Sequence, residues 1–196
     1  MPAAGQSDAR HLAALRTHWQ QHKAFPSMAK LRDVLGLTST SSVFAAVRRL
    51  TEAGYLERVE GRIAPTKRFF ARPVLGRVRA GAPEAATEET DEVLSIDDYL
   101  VDDPNRTVLV RVRGDSMTGV GLLDGDLAVV ERNVATKSGD IVVAVVDGEQ
   151  TVKTLRFDRA SKPYLEAANP AYDAIWPNAS LQVVGLVTGS VRRYRR

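Results

Sequence analysis

The spacing of hydrophobic residues changes once along this chain of 196 residues, and that change divides the sequence into two kinds of fold. Up to residue 64, apolar residues recur every three or four positions, which is typical of amphipathic helices. From residue 76, short segments alternate apolar and polar residues, as β-strands with one buried face do. The basic, proline-containing residues 65–75 between them are typical of a linker. The sequence therefore predicts an α+β protein with two domains, residues 1–64 and 76–196.

The first part predicts three helices followed by a hairpin. Helical spacing of apolar residues indicates a helix over residues 11–23, and Ser27 and Gly36 have the residue types that begin and end a second helix. A third helix follows a Ser/Thr run, with one apolar face made of Val43, Ala46, Val47 and Leu50. Residues 55–65 then alternate about a Glu-Gly turn. This order of elements is typical of a winged helix-turn-helix.

Charge is unevenly distributed between the two parts. Residues 1–75 hold 12 basic and 5 acidic residues, whereas residues 76–196 hold 15 basic and 19 acidic residues. A basic region beside an acidic one indicates that a polyanion binds at one end only. In a helix-turn-helix the start of the recognition helix enters the major groove, and basic residues further along bind phosphates. The candidate DNA contacts are Ser39, Thr40, Ser41, Ser42, Phe44, Ala45, Arg48, Arg49 and Arg62. A winged helix that binds protein, with the serines acting only as caps, is the alternative.

Ser116 and Lys153 are the candidate catalytic residues of the second part. The chain has no cysteine, and its three histidines all lie at or before position 22. If this part carries out acyl transfer with a hydroxyl nucleophile, a lysine amine is the plausible base. Lys153 lies in an alternating segment next to an apolar strand, where burial would lower its pKa, and Ser116 follows a strand at a Gly-Asp turn. Taken singly, an exposed strand lysine and a polar turn are the alternatives.

The chain resembles the LexA repressor family over roughly residues 10–190, and its second part is also similar to UmuD, a related polymerase accessory protein. The matching segments are Gly114-Asp115-Ser116-Met117, residues 123–127, residues 139–142, residues 147–149 and Thr151-Val152-Lys153. Residues 26–56 resemble the LexA winged helix. The resemblance implies a mostly-β C-terminal domain of the LexA and signal-peptidase type.

The same resemblance implies a serine endopeptidase that cuts its own chain with a Ser-Lys dyad. Ser116 would attack the carbonyl of Ala80 in the Ala80-Gly81 bond. Lys153 would serve as general base and then as general acid, and the backbone amides of Asp115 and Ser116 would form the oxyanion hole. Cleavage would wait for RecA filaments on single-stranded DNA. No metal or organic cofactor is implied.

The implied biological role is a repressor of the SOS response to DNA damage. It would bind double-stranded operator DNA as a homodimer joined through the C-terminal domain, in the bacterial cytoplasm at the nucleoid. No apolar stretch approaches the roughly 20 residues that span a bilayer, so no membrane partner is expected.

Two other functions remain open. The first is a DNA-binding regulator without regulated cleavage. It is suggested by Arg79, which lies beside the implied cleavage bond where the family has a small apolar residue. The other is a UmuD-like accessory factor for translesion synthesis. The DNA-binding pattern of the N-terminal part argues against this second alternative.

Overall fold

The computed structural model describes residues 4–74 and 92–194, and the chain divides into two compact units, Met1–Ile96 and Asp97–Arg196. The first unit begins with three helices, α1 (Ala4–His22), α2 (Met28–Leu35) and α3 (Thr40–Glu52), followed by the hairpin β1 (Leu56–Val59) and β2 (Arg62–Pro65). This confirms the N-terminal half of the predicted α+β fold class, a helical module with a β-wing.

Capping residues set the bounds of α2 and α3. The Ser27 hydroxyl accepts a hydrogen bond from the backbone N–H of Lys30, and Gly36 ends α2 with a left-handed φ of +65°. Ser39 caps α3 by accepting from the N–H of Ser42 at 3.1 Å. The predicted helix boundaries at Ser27 and Gly36 are confirmed.

The core of the first unit extends into the segment that the sequence predicts as a linker. A short helix, α4 (Lys67–Phe70), places Phe69 at 0 % exposure in the same core as the apolar faces of α1–α3. Arg16 of α1 donates hydrogen bonds to the carbonyl oxygens of Phe69 (2.8 Å) and Ala71 (3.0 Å). The linker assignment over residues 65–75 is therefore wrong for residues 67–71. Burial of the Phe69 ring stabilises a packed helix there, although basic residues and prolines surround it in the sequence.

Two short strands complete the described part of the first unit. Strand β3 (Arg72–Val74) pairs antiparallel with β4 (Glu92–Leu94), so that Val74 lies opposite Glu92. The helix α5 (Ile96–Leu100) follows.

A six-stranded antiparallel sheet forms the second unit, and the predicted mostly-β C-terminal fold is confirmed. Its strands are β5 (Thr107–Arg111), β6 (Leu127–Arg132), β7 (Ile141–Val146), β8 (Glu149–Phe157), β9 (Pro163–Glu166) and β10 (Leu181–Val191). They lie in the order β5-β6-β10-β7-β8-β9. Each face carries an apolar cluster, one around Met117 and Val143 and the other around Val142 and Leu165.

The sheet is strongly bent. Strands β5 and β8 are four steps apart in the sheet, about 19 Å if it were flat, yet Val112 after β5 and Val152 on β8 belong to one apolar cluster. The central strand β10 has register shifts at Val183/Gly185 and Val187/Gly189. Such bulges bend a strand and increase its twist.

Candidate active site and nucleic-acid interface

Lys153 is a buried lysine on the strand next to one edge of the six-stranded sheet. It lies on β8 opposite Val142 of β7 and is 7 % exposed. The apolar sequence of β7, with three consecutive fully buried positions at residues 142–144, covers this part of β8. The pairing of β8 with this apolar strand therefore places a lysine in a largely apolar environment.

Ser116 lies in the turn that follows β5. The turn is shaped by Gly114, whose φ of +84° is left-handed, and whose N–H donates to the Asp124 carboxylate at 2.8 Å. Met117, next to the serine, is 2 % exposed and anchors the turn in the core. Ser116 itself is half-buried.

The structure brings these two predicted residues together. Lys153 Nζ lies 2.8 Å from Ser116 Oγ, and it also donates to Thr151 Oγ1 at 3.0 Å and to the Val152 carbonyl oxygen at 3.1 Å. The serine hydroxyl is within the range over which a base can take a proton directly.

Burial lowers the pKa of the Lys153 ammonium from its ordinary value of 10.5. Within residues 4–74 and 92–194, Lys153 has no carboxylate in ion-pair range to oppose this effect. Desolvation favours the neutral amine, because a charge is costly in an apolar environment. A neutral lysine in hydrogen-bond contact with a serine hydroxyl can act as the base that activates a nucleophile.

A cleft of about 240 Å³ opens beside the pair. One wall consists of residues 110–114 and the other of residues 150–153. Among the described residues, no hydrogen bond engages the backbone N–H of Asp115 or of Ser116, the two groups predicted for an oxyanion hole. A carbonyl group placed in this cleft would meet a hydroxyl nucleophile, an amine base and free amide donors. These are the groups that acyl transfer requires.

Asn169 and Tyr172 contact the nucleophile turn, and sequence reasoning missed them. Asn169 Nδ2 donates to the carbonyl oxygen of Asp115 at 3.1 Å, and the Tyr172 hydroxyl donates to the Asp115 carboxylate. The Asn-Pro-Ala-Tyr sequence at residues 169–172 is a turn signal. The sequence signal indicates a turn, but it does not show that the turn contacts Asp115, 54 residues before Asn169.

The start of α3 presents a row of hydroxyl groups. Ser39 Oγ lies 3.0 Å from Ser41 Oγ and 2.8 Å from Ser42 Oγ, so the cap also orders two neighbouring side chains. Thr40, Ser41 and Ser42 are exposed, while Ser39 is half-buried. Both roles that the sequence left open, capping and display of hydroxyl groups, are compatible with this geometry.

Beyond the serines, α3 and the hairpin line a groove of about 630 Å³. Phe44 is 51 % exposed there, beside half-buried Ala45 and exposed Arg48. Arg58 of β1 lines the same groove, and Arg62 of β2 is exposed. The groove therefore combines an aromatic surface with basic residues.

Arg49 differs from the exposed Arg48 because its ion pair, with a residue of α1, is partly buried. Its Nε lies 2.9 Å and 3.2 Å from the two carboxylate oxygens of Asp8, on α1. The bond to Asp8 raises the pKa of Arg49 further above its ordinary value. The expectation of a phosphate contact did not anticipate this pairing, because Asp8 lies 41 residues earlier.

The predicted cleavage residues Ala80 and Gly81, and Arg79 beside them, lie outside the described residues. In the described ranges, no group of three or more His, Asp or Glu side chains is arranged to hold a metal ion. None of the helices described is both long and apolar enough to cross a membrane.

Comparison with known proteins matches both units of the chain. The family model for the LexA DNA binding domain matches residues 6–63, and the Peptidase S24-like model matches residues 73–188. LexA repressor 1 of Nocardia farcinica is 36 % identical over 199 residues, covering 94 % of this chain and 91 % of that protein. LexA repressor of Mycobacterium bovis is 38 % identical, covering 86 % and 79 %. LexA repressor 2 of Geobacter sulfurreducens is 34 % identical, covering 93 % and 94 %.

Proposed function

This chain belongs to the LexA repressor family, and from that premise we propose that it is a DNA-damage repressor inactivated when Ser116 and Lys153 cut its own Ala80-Gly81 bond. It is a LexA-type repressor, with a LexA DNA-binding domain and a peptidase domain of the LexA-type self-cleaving serine family. The observation that carries the proposal is the 2.8 Å contact between Lys153 Nζ and Ser116 Oγ, with the lysine 7 % exposed.

The proposed reaction begins with the neutral Lys153 amine. It takes the hydroxyl proton as Ser116 Oγ attacks the carbonyl carbon of Ala80, and the backbone N–H groups of Asp115 and Ser116 stabilise the oxyanion. Lys153 then gives that proton to the nitrogen of Gly81, which leaves as a new amino terminus. Water, deprotonated by the same amine, hydrolyses the acyl-serine ester and frees Ser116.

Regulation by RecA is part of the proposal. A RecA filament on single-stranded DNA would bind the state in which the cleavage bond occupies the cleft, and would raise the population of that state. Support comes from the burial of Lys153, which lowers the pKa of its ammonium group before any partner binds.

On the DNA side, we assign base-edge contacts to the exposed start of α3 and phosphate contacts to the arginines near it. The base-edge set is Ser39, Thr40, Ser41, Ser42, Phe44 and Ala45. Arg48 and Arg62 are assigned to phosphates, while Arg49, held by Asp8, supports the position of α3. Binding through a single recognition helix covers a short site, so we propose a homodimer joined through the C-terminal domain, bound to operator DNA at the nucleoid.

The domain boundaries are proposed accordingly. The DNA-binding domain takes residues 1–64 together with the packed helix α4, and residues 76–196 form the protease and dimerisation domain with its cleavage segment. The strands β3 and β4 pair on either side of residues 75–91, which include Ala80-Gly81.

A UmuD-like accessory factor is the weaker alternative, because the LexA DNA-binding model matches residues 6–63.

An experiment separates the proposal from the other alternative, a repressor in which Arg79 prevents regulated cleavage. Purified chain is incubated at alkaline pH and, separately, with RecA, ATP and single-stranded DNA. We expect fragments of 80 and 116 residues, and none from Ser116→Ala or Lys153→Ala. An intact wild-type chain under both conditions would contradict cleavage, and Arg79→Ala then reports whether that arginine prevents it.

A further inference from the structure

We propose that Asn169 and Tyr172 are positioning residues, which hold the peptide group of the oxyanion hole in its catalytic orientation. The inference rests on the proposed self-cleavage. It assigns a role to a turn of the second unit, the brace segment (residues 168–172), which takes no part in the dyad itself.

The first contact fixes a peptide plane. Asn169 Nδ2 donates to the carbonyl oxygen of Asp115 at 3.1 Å. That carbonyl belongs to the same planar peptide group as the N–H of Ser116, and the two bonds point in opposite directions. Holding the oxygen from one side therefore aims the Ser116 N–H to the other side. A hydrogen bond to the carbonyl also polarises the amide and makes its N–H a better donor.

The orientation of the Asn169 amide is itself determined. Its Oδ1 accepts a hydrogen bond from the N–H of Ala171 at 3.0 Å, which forms an Asx turn, and the N–H of Tyr172 donates to the Asn169 carbonyl oxygen at 3.1 Å. Because Oδ1 is engaged as an acceptor, Nδ2 is the atom that faces Asp115. The turn thus presents a donor in a defined direction.

A second contact holds the side chain of the same residue. The Tyr172 hydroxyl donates to the Asp115 carboxylate, and this carboxylate raises the pKa of the phenol above its ordinary value of 10.0. The bond to Asp115 therefore favours the protonated phenol, which is the form that donates. Asp115 is held at both its carbonyl and its carboxylate by one turn.

The third contact is between backbones. The N–H of Gly119 donates to the carbonyl oxygen of Ala168 at 2.7 Å, and a Cβ added at Gly119 would lie 2.3 Å from that oxygen. Only glycine allows the two segments to approach this closely. The nucleophile turn is therefore tied to the brace segment on both sides of Ser116.

Two conservative substitutions test the role without removing the turn. Asn169→Asp keeps an acceptor for the Ala171 N–H and loses the donor to Asp115, and Tyr172→Phe loses one hydroxyl. We expect both to lower the plateau rate of alkaline self-cleavage by about tenfold, less than the roughly 100- to 1,000-fold loss of a whole oxyanion-hole donor. In Tyr172→Phe, which adds no charge, the melting temperature and the pH midpoint that reports Lys153 should both stay in place. Tyr164→Phe, which alters a ring stacked on Trp176, is the matched control.

A small fluorophosphonate separates catalysis from delivery of the cleavage segment. Ser116 Oγ attacks its phosphorus, fluoride leaves, and the serine proton passes to Lys153, so this reaction needs the oxyanion hole but not residues 75–91. Labelling should slow in parallel with self-cleavage in both variants. Wild-type cleavage rates in both variants would overturn the inference, as would slowed cleavage with wild-type labelling. If the wild-type chain is not cut but labelling still slows in the variants, the proposed function fails and the positioning role stands.

Discussion

Asp126 and Arg192 form a clamp at the end of the central strand of the second unit. Asp126 is 1 % exposed, and Arg192 donates to its two carboxylate oxygens from Nε and Nη2, both at 2.6 Å. The N–H of Leu123 adds a third hydrogen bond, and Arg192 Nη2 also donates to the carbonyl oxygen of Gly121. The clamp fastens the chain after β10 to the loop that follows the nucleophile turn.

This clamp predicts an acid-sensitive second unit. The bonds from Arg192 lower the pKa of Asp126 from 3.8 to about 2. Since the folded pKa lies below the unfolded one, the stabilisation is complete above about pH 4 and is lost as pH falls through about 2. Asp147, whose pKa is also about 2 because three backbone N–H groups bond to it, contributes in the same window. The free energy of unfolding, measured by urea titration from pH 5 to pH 2, should depend less on pH in Asp126→Asn than in the exposed control Asp102→Asn.

The buried lysine predicts the pH dependence of self-cleavage. The active form is the neutral amine, and burial lowers the pKa of Lys153, so the cleavage rate should rise with pH and level off below pH 10.5. Lys153→Arg should be inactive across this range, because a guanidinium stays protonated. Fragment yield against time at each pH gives the profile. A rate that still rises steeply above pH 11 would mean that Lys153 keeps an ordinary pKa.

Phe69 predicts that the DNA-binding unit needs residues beyond its wing. The ring is fully buried against α1 and contacts Phe25 edge to face, with centroids 6.0 Å apart. Phe69→Ala should lower the free energy of unfolding of the first unit by about 3–5 kcal/mol, as expected for a fully buried aromatic residue. Phe70→Ala, at a position 39 % exposed, is the matched control and should cost less. Thermal melts monitored by circular dichroism distinguish the two.

Substitutions of two neighbouring arginines should have different effects, one on DNA binding and one on stability. Arg48 is 77 % exposed, with only an exposed partner, Glu52, at 3.6 Å. Arg48→Ala should weaken binding to all sequences about equally and reduce the salt slope by about one. Arg49→Ala should instead lower the stability of the first unit, since it leaves Asp8 without its partner. Gel shifts over a salt series, paired with melting curves, test both. An unchanged salt slope in Arg48→Ala would remove that residue from the interface.

The exposed ring of Phe44 predicts a preference for thymine. An apolar side chain in the major groove contacts the thymine methyl group, which no other DNA base carries. Duplexes selected from a random library by the wild-type chain should therefore lose affinity when one thymine is replaced by deoxyuridine. The Phe44→Ala variant should show no such difference at that position, while its melting temperature stays near wild type because the ring is 51 % exposed. Equal sensitivity of both proteins to uracil would remove Phe44 from base reading.

Local signals made much of the fold predictable. Ser27 has a hydroxyl that can cap the start of a helix, and Gly36 has no side chain and so tolerates the left-handed φ that ends one. The run of apolar residues at 141–146 identifies a buried strand by itself. Ser116 and Lys153 were found from the lack of nearby histidine and cysteine and from the family resemblance. Their 2.8 Å contact is a tertiary fact that the 37-residue separation does not contain.

The features that were missed depend on pairings distant in sequence. Asn169 contacts a residue 54 positions earlier, and Arg192 one 66 positions earlier. No periodicity or spacing links them. Arg192 meets Asp126 because β10 pairs with β6, which sets Val191 opposite Leu127, and Asn169 meets Asp115 only in the folded chain. Phe69 was missed for another reason: its basic and proline neighbours dominate the local composition, whereas burial of one ring decides the structure.

Ser116 follows the edge strand β5 and Lys153 lies on β8, four strands further on, so their contact measures how far the sheet curls. Gly185, in β10, helps set that curl: a Cβ there would lie 2.6 Å from the carbonyl oxygen of Glu131. The central strand contributes no catalytic side chain, yet flattening it would separate nucleophile from base by many ångströms. Reactivity in this protein therefore depends on the curvature of the sheet. Residues in the central strand can be replaced only in ways that keep Ser116 and Lys153 in contact.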